Sequence, residues 1–103
     1  VTLAEFEALI VTVDPTLTKW KGPGTGNYTV WSIGGLANGL MSDDEPDEID
    51  HRVYVDRFTK SDSDAIADAL EAAFSNAFIP FEHEQMYEES SKYIHHSFTC
   101  IVE

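Results

Sequence analysis

Basic residues are scarce in this 103-residue sequence: six Lys and Arg stand against nineteen Asp and Glu, a formal charge of -13. Phosphate binding depends on cations that neutralise the backbone, so the composition argues against a protein that grips nucleic acid. Cysteine is almost absent. Cys100 is alone, which excludes an internal disulfide and leaves no sign of an oxidising compartment. No apolar run approaches the roughly 18 to 20 residues of a membrane-spanning helix, and the first residues lack the basic-then-apolar pattern of an export signal. The expectation is a cytoplasmic chain with no membrane partner. With 43% hydrophobic residues, 12% of all residues being aromatic, the chain has enough apolar material for a packed core, and its length suits one domain spanning residues 1–103.

The elements follow from pattern and punctuation. Thr2-Leu-Ala-Glu5 has the form of a capping box, and Leu3, Phe6, Leu9, Ile10 and Val13 recur at helical spacing until Asp14-Pro15, which predicts a helix over 3–13. Residues 15–27 hold two prolines and three glycines and read as a loop in which Trp20 is the exception. Tyr28–Ile33 is rich in β-branched and aromatic residues and reads as a strand, with Gly34-Gly35 allowing a bulge before residues 36–41. His51–Thr59 is the next strand. Ser61-Asp-Ser-Asp64 offers N-cap chemistry for a helix over 62–75, with Ile66, Leu70, Ala73 and Phe74 on one face. Phe78–Met86 reads as a strand broken near Pro80. Tyr93–Val102 is a clearer strand, with Ile94, His96, Phe98, Cys100 and Val102 on its core face. The order α-β-β-α-β-β predicts an α+β fold: a four-stranded, mainly antiparallel sheet with two helices packed on one face.

Between the first two strands lies the most acidic stretch, carrying Asp43, Asp44, Glu45, Asp47, Glu48 and Asp50. It lacks the spacing and central glycine of a calcium loop and reads as a solvated hairpin tip. His83, His95, His96 and Cys100 fit no zinc spacing, and His95 and His96 point to opposite sides of one strand. Glu82, Glu84, Glu88 and Glu89 suggest a carboxylate pair only if a sugar cleft exists, which so small a chain struggles to enclose. Gly22-Pro-Gly-Thr-Gly26 lacks the Lys-Ser or Lys-Thr ending of a phosphate loop, and Lys19 and Lys21 are too few for a nucleic-acid patch. No catalytic, metal or cofactor site is expected, and the chain reads as a non-enzyme.

Residues 28–98 resemble the small tail-completion, or tail-terminator and head–tail joining, proteins of long-tailed phages and prophages. The resemblance rests on Asp43-Asp44-Glu45-Pro46, Val55-Asp56, Phe58, Lys60, Tyr87-Glu88, Tyr93 and His95. Ser90-Ser91 departs from the Asp-Thr pair common at that place. The family resemblance implies a homo-oligomeric ring, typically a hexamer, at the head-proximal end of the virion tail. The tail tube protein and the head connector would be its neighbours, and DNA would pass through without specific binding. On this reading the acidic residues 42–50 are expected at the lumen or rim, and Trp20 or Trp31 at a subunit or partner contact. The competing expectation is an acidic inhibitor or decoy module that binds a basic host protein.

Overall fold

Thr2 opens helix α1 (Leu3–Val13) through the expected capping box: Glu5 N–H donates to Thr2 Oγ1 at 3.2 Å, and Thr2 N–H donates to Glu5 Oε1 at 2.9 Å. The helix stops at Asp14, whose carboxylate accepts from the Thr16 N–H and hydroxyl and turns the chain back toward the sheet. The computed structural model describes residues 1–36 and 50–103. Among them the strands are β1 (Thr18–Lys19), β2 (Tyr28–Leu36), β3 (His51–Thr59), β4 (Phe81–Glu88) and β5 (Tyr93–Val102), with helix α2 (Ala65–Asn76) between β3 and β4.

The sheet has five strands in the order β1-β2-β3-β5-β4, one more than the sequence predicts. Strands β2 to β5 are the expected antiparallel set, and β2 and β3 pair from Tyr28↔Phe58 to Leu36↔His51. The added strand lies inside the stretch read as a loop. Thr18 and Lys19 run parallel to β2, and Trp20 N–H donates to the Trp31 carbonyl at 2.8 Å. Two residues leave no periodic signal, so this strand exists because the Asp14 turn delivers the chain alongside β2. The register of β2 shifts between Ile33 and Leu36, the bulge expected at Gly34-Gly35. Gly34 is required there: a Cβ would lie 2.7 Å from the Tyr54 ring and 3.1 Å from the Arg52 carbonyl.

Helix α2 starts at Ala65 rather than at residue 62, because the preceding serines are used in a turn of their own. Ser61 Oγ donates to the Ser63 carbonyl and Ser61 N–H donates to Thr59 Oγ1, which leaves Asp64 as the N-cap, accepting from Ala67 N–H at 3.0 Å. At the other end Ile79 N–H donates to the Phe74 carbonyl and Phe78 N–H to that of Ser75. These two bonds form a Schellman-type cap. Phe78, Ile79 and Pro80 therefore belong to the helix cap, and β4 begins at Phe81 instead of Phe78.

Strand alternation places Trp31, Val55, Phe98 and His83 in one cross-strand row and Ile33, Val53, Cys100 and Phe81 in the next. Both helices cover this face. Phe6 and Ile10 of α1 and Leu70 and Phe74 of α2 are fully buried against it, with the Phe6 ring stacked on Phe74 at 5.5 Å and tilted on Trp31 at 6.4 Å. The expected core set of β5, Ile94, His96, Phe98, Cys100 and Val102, is buried throughout. The opposite face carries a smaller cluster of its own. Tyr28 stacks on Phe58, Tyr93 meets both rings edge-on, and the Tyr93 hydroxyl donates to the Gly26 carbonyl.

Candidate assembly surface

Three polar arrangements fasten the sheet to its surroundings. Arg57, on the helix-covered face of β3, donates from Nε to Asp64 Oδ2 at 2.8 Å and from Nη1 to Thr29 Oγ1 at 3.3 Å, and Nη1 lies 3.6 Å from Asp14 Oδ2. Burial raises the Asp14 and Asp64 carboxyls. That effect is outweighed by hydrogen bonds from Thr16, Thr29, Arg57 and the Ala67 N–H together with the Arg57 charge, and both carboxyls end below their ordinary value. This cluster joins the end of α1, the start of α2 and the middle of the sheet.

The second arrangement is a chain of side chains. His83 Nδ1 lies 3.1 Å from Glu71 Oε2, His83 Nε2 lies 3.0 Å from His96 Nδ1, and the His83 ring stacks on Phe98 at 4.2 Å. Burial first and His83 second push the His96 imidazole below its ordinary value. The third sits on the open face, where His95 Nε2 lies 2.8 Å from Asp56 Oδ1 and its ring stacks on Phe58 at 4.3 Å. The Asp56 hydrogen bond raises His95, with burial opposing it. Burial pushes the Cys100 thiol up to about 12, which leaves no thiolate at neutral pH. Among the described residues no group of three or more His, Cys, Asp and Glu side chains is arranged to hold a metal ion.

The surface turned to solvent is more telling. Phe78 is 92% exposed, Trp20 63% and Tyr87 57%. Phe78 and Trp20 also sit in left-handed backbone, at φ 57° and 74°, where glycine is the unstrained residue. The Trp20 ring is met by the Lys19 ammonium at 5.8 Å; bulky rings that are both strained and exposed are candidates for contact with another molecule. Tyr87 and the half-exposed Met86 lie on β4, an edge strand of eight residues that also presents Glu82 and Glu84 to solvent.

Trp31 corrects the sequence reading. It is 2% exposed, packed under α1 in the core, so its ring cannot reach a partner and the contact expectation rests on Trp20. Of the acidic residues expected at a lumen or rim, Asp50 lies half-buried just before β3, while Asp43, Asp44, Glu45, Asp47 and Glu48 lie outside the described residues. The histidines divide as the strand alternation required, His95 to the open face and His96 to the core. Sequence reasoning missed Phe78, since nothing in Asn-Ala-Phe-Ile marks a left-handed cap.

None of the known protein-family models matches the sequence, and no curated protein matches it. Among solved structures, a chain from the virion of a native gene transfer agent (GTA) particle shares the fold, with a TM-score of 0.54. The alignment covers 93% of this chain and 85% of that chain at 21% identity, so the likeness extends over the whole architecture.

Proposed function

We propose that this chain is a structural assembly protein of a phage-type particle. The observation that carries the reading is the fold it shares, nearly end to end, with a chain of the GTA virion. The short motifs from Asp43 to His95 add the finer reading of a tail-completion protein, which caps the tail tube and joins it to the head connector as a homo-oligomeric, hexameric ring. Its place would be the head-proximal end of the tail, after assembly in the host cytoplasm. No catalysis is assigned to it: its work is to stop growth of the tube and to present a surface to the head side. A charge of -13 suits a passage that DNA traverses without adhering, because carboxylates facing a lumen repel phosphates. The acidic run that ends at Asp50 is proposed to face that lumen or its rim.

Native mass spectrometry across a concentration series, with negative-stain imaging of the same samples, tests this reading. A closed ring with a central hole is expected. A monomer at every concentration that also fails to bind purified tail tubes would remove the reading. A salt-sensitive one-to-one complex with a basic protein would put the decoy alternative in its place.

A further inference from the structure

We propose that His83 and His96 form a latch that holds α2 and the edge strand β4 to β5 while the two rings carry at most one charge between them, and that lets go when both are protonated. The device belongs to the single chain and does not depend on the ring reading. The two histidines are diagonal neighbours on the helix-covered face, since His83 pairs with Phe98, two residues beyond His96 on β5. His83 Nε2 lies 3.0 Å from His96 Nδ1 with the ring centroids 5.2 Å apart, so the rings meet nitrogen to nitrogen and not face to face. On its other side His83 Nδ1 lies 3.1 Å from Glu71 Oε2. One line of contacts thus runs from α2 through β4 into β5.

Counting protons shows what this line tolerates. A carboxylate only accepts, so His83 Nδ1 carries a proton and donates it to Glu71. A hydrogen bond between two ring nitrogens needs one donor and one acceptor. With both rings neutral, His96 Nδ1–H donates to His83 Nε2. One added proton keeps the link: the His83 cation donates from Nε2 to His96 Nδ1, and His96 holds its own proton on Nε2. A second added proton sets N–H against N–H across 3.0 Å and places two like charges side by side, so the link becomes repulsive.

The surroundings separate the two protons. From α2 and its cap, Glu71, Asp68 and Asp64 favour the first. Arg57, the cross-strand neighbour of His96 on β3, opposes the second, with its charge shared out to Asp64 and to Asp14 at the end of α1. His95, held by Asp56 on the other face of β5, also counts against a charge on His96. The His96 ring is 7% exposed and its Nε2 has no hydrogen-bond partner among the described residues, so a charge there has little to spread onto. Relief comes from the other ring: the His83 side chain is partly exposed, Glu71 is half exposed, and β4 ends the sheet. Acid therefore loosens the start of β4 and the middle of α2 and leaves β3 in place.

Two measurements test the latch. Imidazole NMR of the unaltered chain, followed from about pH 8 to about pH 4.5, is expected to show the pair taking up its protons in two steps more than about one pH unit apart, each step sensed by both rings. Independent single-step titrations of His83 and His96 overturn the proposal. Amide hydrogen exchange at about pH 7.5 and about pH 5 is the second measurement, with rates corrected for their intrinsic pH dependence. Protection is expected to fall at least about tenfold in acid for residues 71–76 and for the β4 amides that bond β5, but not for Val53–Arg57. His83→Gln keeps a side chain that donates and accepts but takes no charge, and in it the acid loss is expected to vanish; circular dichroism checks that it folds. Unchanged protection in the wild type, or the same loss in folded His83→Gln, overturns the latch. A uniform loss over every strand assigns the acid effect to the Asp14–Arg57–Asp64 cluster and overturns it too. If the variant does not fold, the titration of the unaltered chain decides.

Discussion

Asp64 Oδ2 accepts from Arg57 Nε at 2.8 Å and from the Ala67 N–H at 3.0 Å, so one carboxylate is both the N-cap of α2 and the partner of a guanidinium on the central strand β3. With Asp14 on the far side of Arg57, the three side chains are all less than a tenth exposed. Removing the cation leaves two carboxylates buried without their counter-charge. Arg57→Ala is expected to lower stability by about 3–5 kcal/mol, the usual cost of breaking a buried pair from one side. Urea unfolding measures it; a loss below about 1 kcal/mol would show that solvent already screens the cluster.

Cys100 faces the helices from near the end of β5, fully buried beside Val53 and Phe81 in the sheet register. A thiol raised to about 12 by burial is almost entirely protonated at pH 8, and the reagent has no path to it. Alkylation of the folded protein at that pH is expected to proceed only as fast as the chain opens, and to finish promptly in denaturant. Fast labelling of the native state would contradict the packing around β5.

Much of this fold is legible in the sequence, and what is hidden is hidden for physical reasons. Helix α1 declares both ends because the capping box and Asp14-Pro15 are local chemistry. Strands β3 and β5 declare themselves because alternation is a property of the strand alone. Strand β1 is invisible because Thr18 and Lys19 become a strand only when β2 is beside them. Trp31 illustrates a different limit: alternation puts it on one face with Ile33, but which face the helices cover is a tertiary fact. The edge character of β4 likewise depends on β5 inserting between β3 and β4, an order that sequence spacing does not encode. Asp14 and Arg57 sit in remote segments, and nothing local announces their meeting.

Phe78 occupies the left-handed position after α2, at φ 57°, with its ring almost wholly in solvent. A side chain there costs roughly 1–2 kcal/mol relative to glycine, before the greater freedom of glycine in the unfolded chain is counted. Phe78→Gly is thus expected to stabilise the isolated chain by about 0.5–1 kcal/mol in thermal unfolding. The same variant should associate more weakly if the ring is kept for a contact. A destabilised variant would mean that the exposed ring supports the fold after all.

His95 and His96 are neighbours on β5, yet the sheet sends them to opposite faces and opposite shifts. On the open face the Asp56 hydrogen bond raises His95, while in the core burial and His83 lower His96. An unfolded histidine titrates near about 6.5. For His95 the folded value is above that, so its stabilisation is fully present below about 6.5 and fades as pH rises through the folded value. For His96 the folded value is below it, so its contribution is present above about 6.5 and is lost as pH falls through the folded value. Melting temperature against pH, measured for the wild type, His95→Gln and His96→Gln, separates the two. The deficit of His95→Gln is expected to be largest near pH 5.5 and to shrink by about pH 8.5, whereas that of His96→Gln should shrink in acid. Deficits that stay flat with pH for both variants would mean that neither ring changes its protonation on folding.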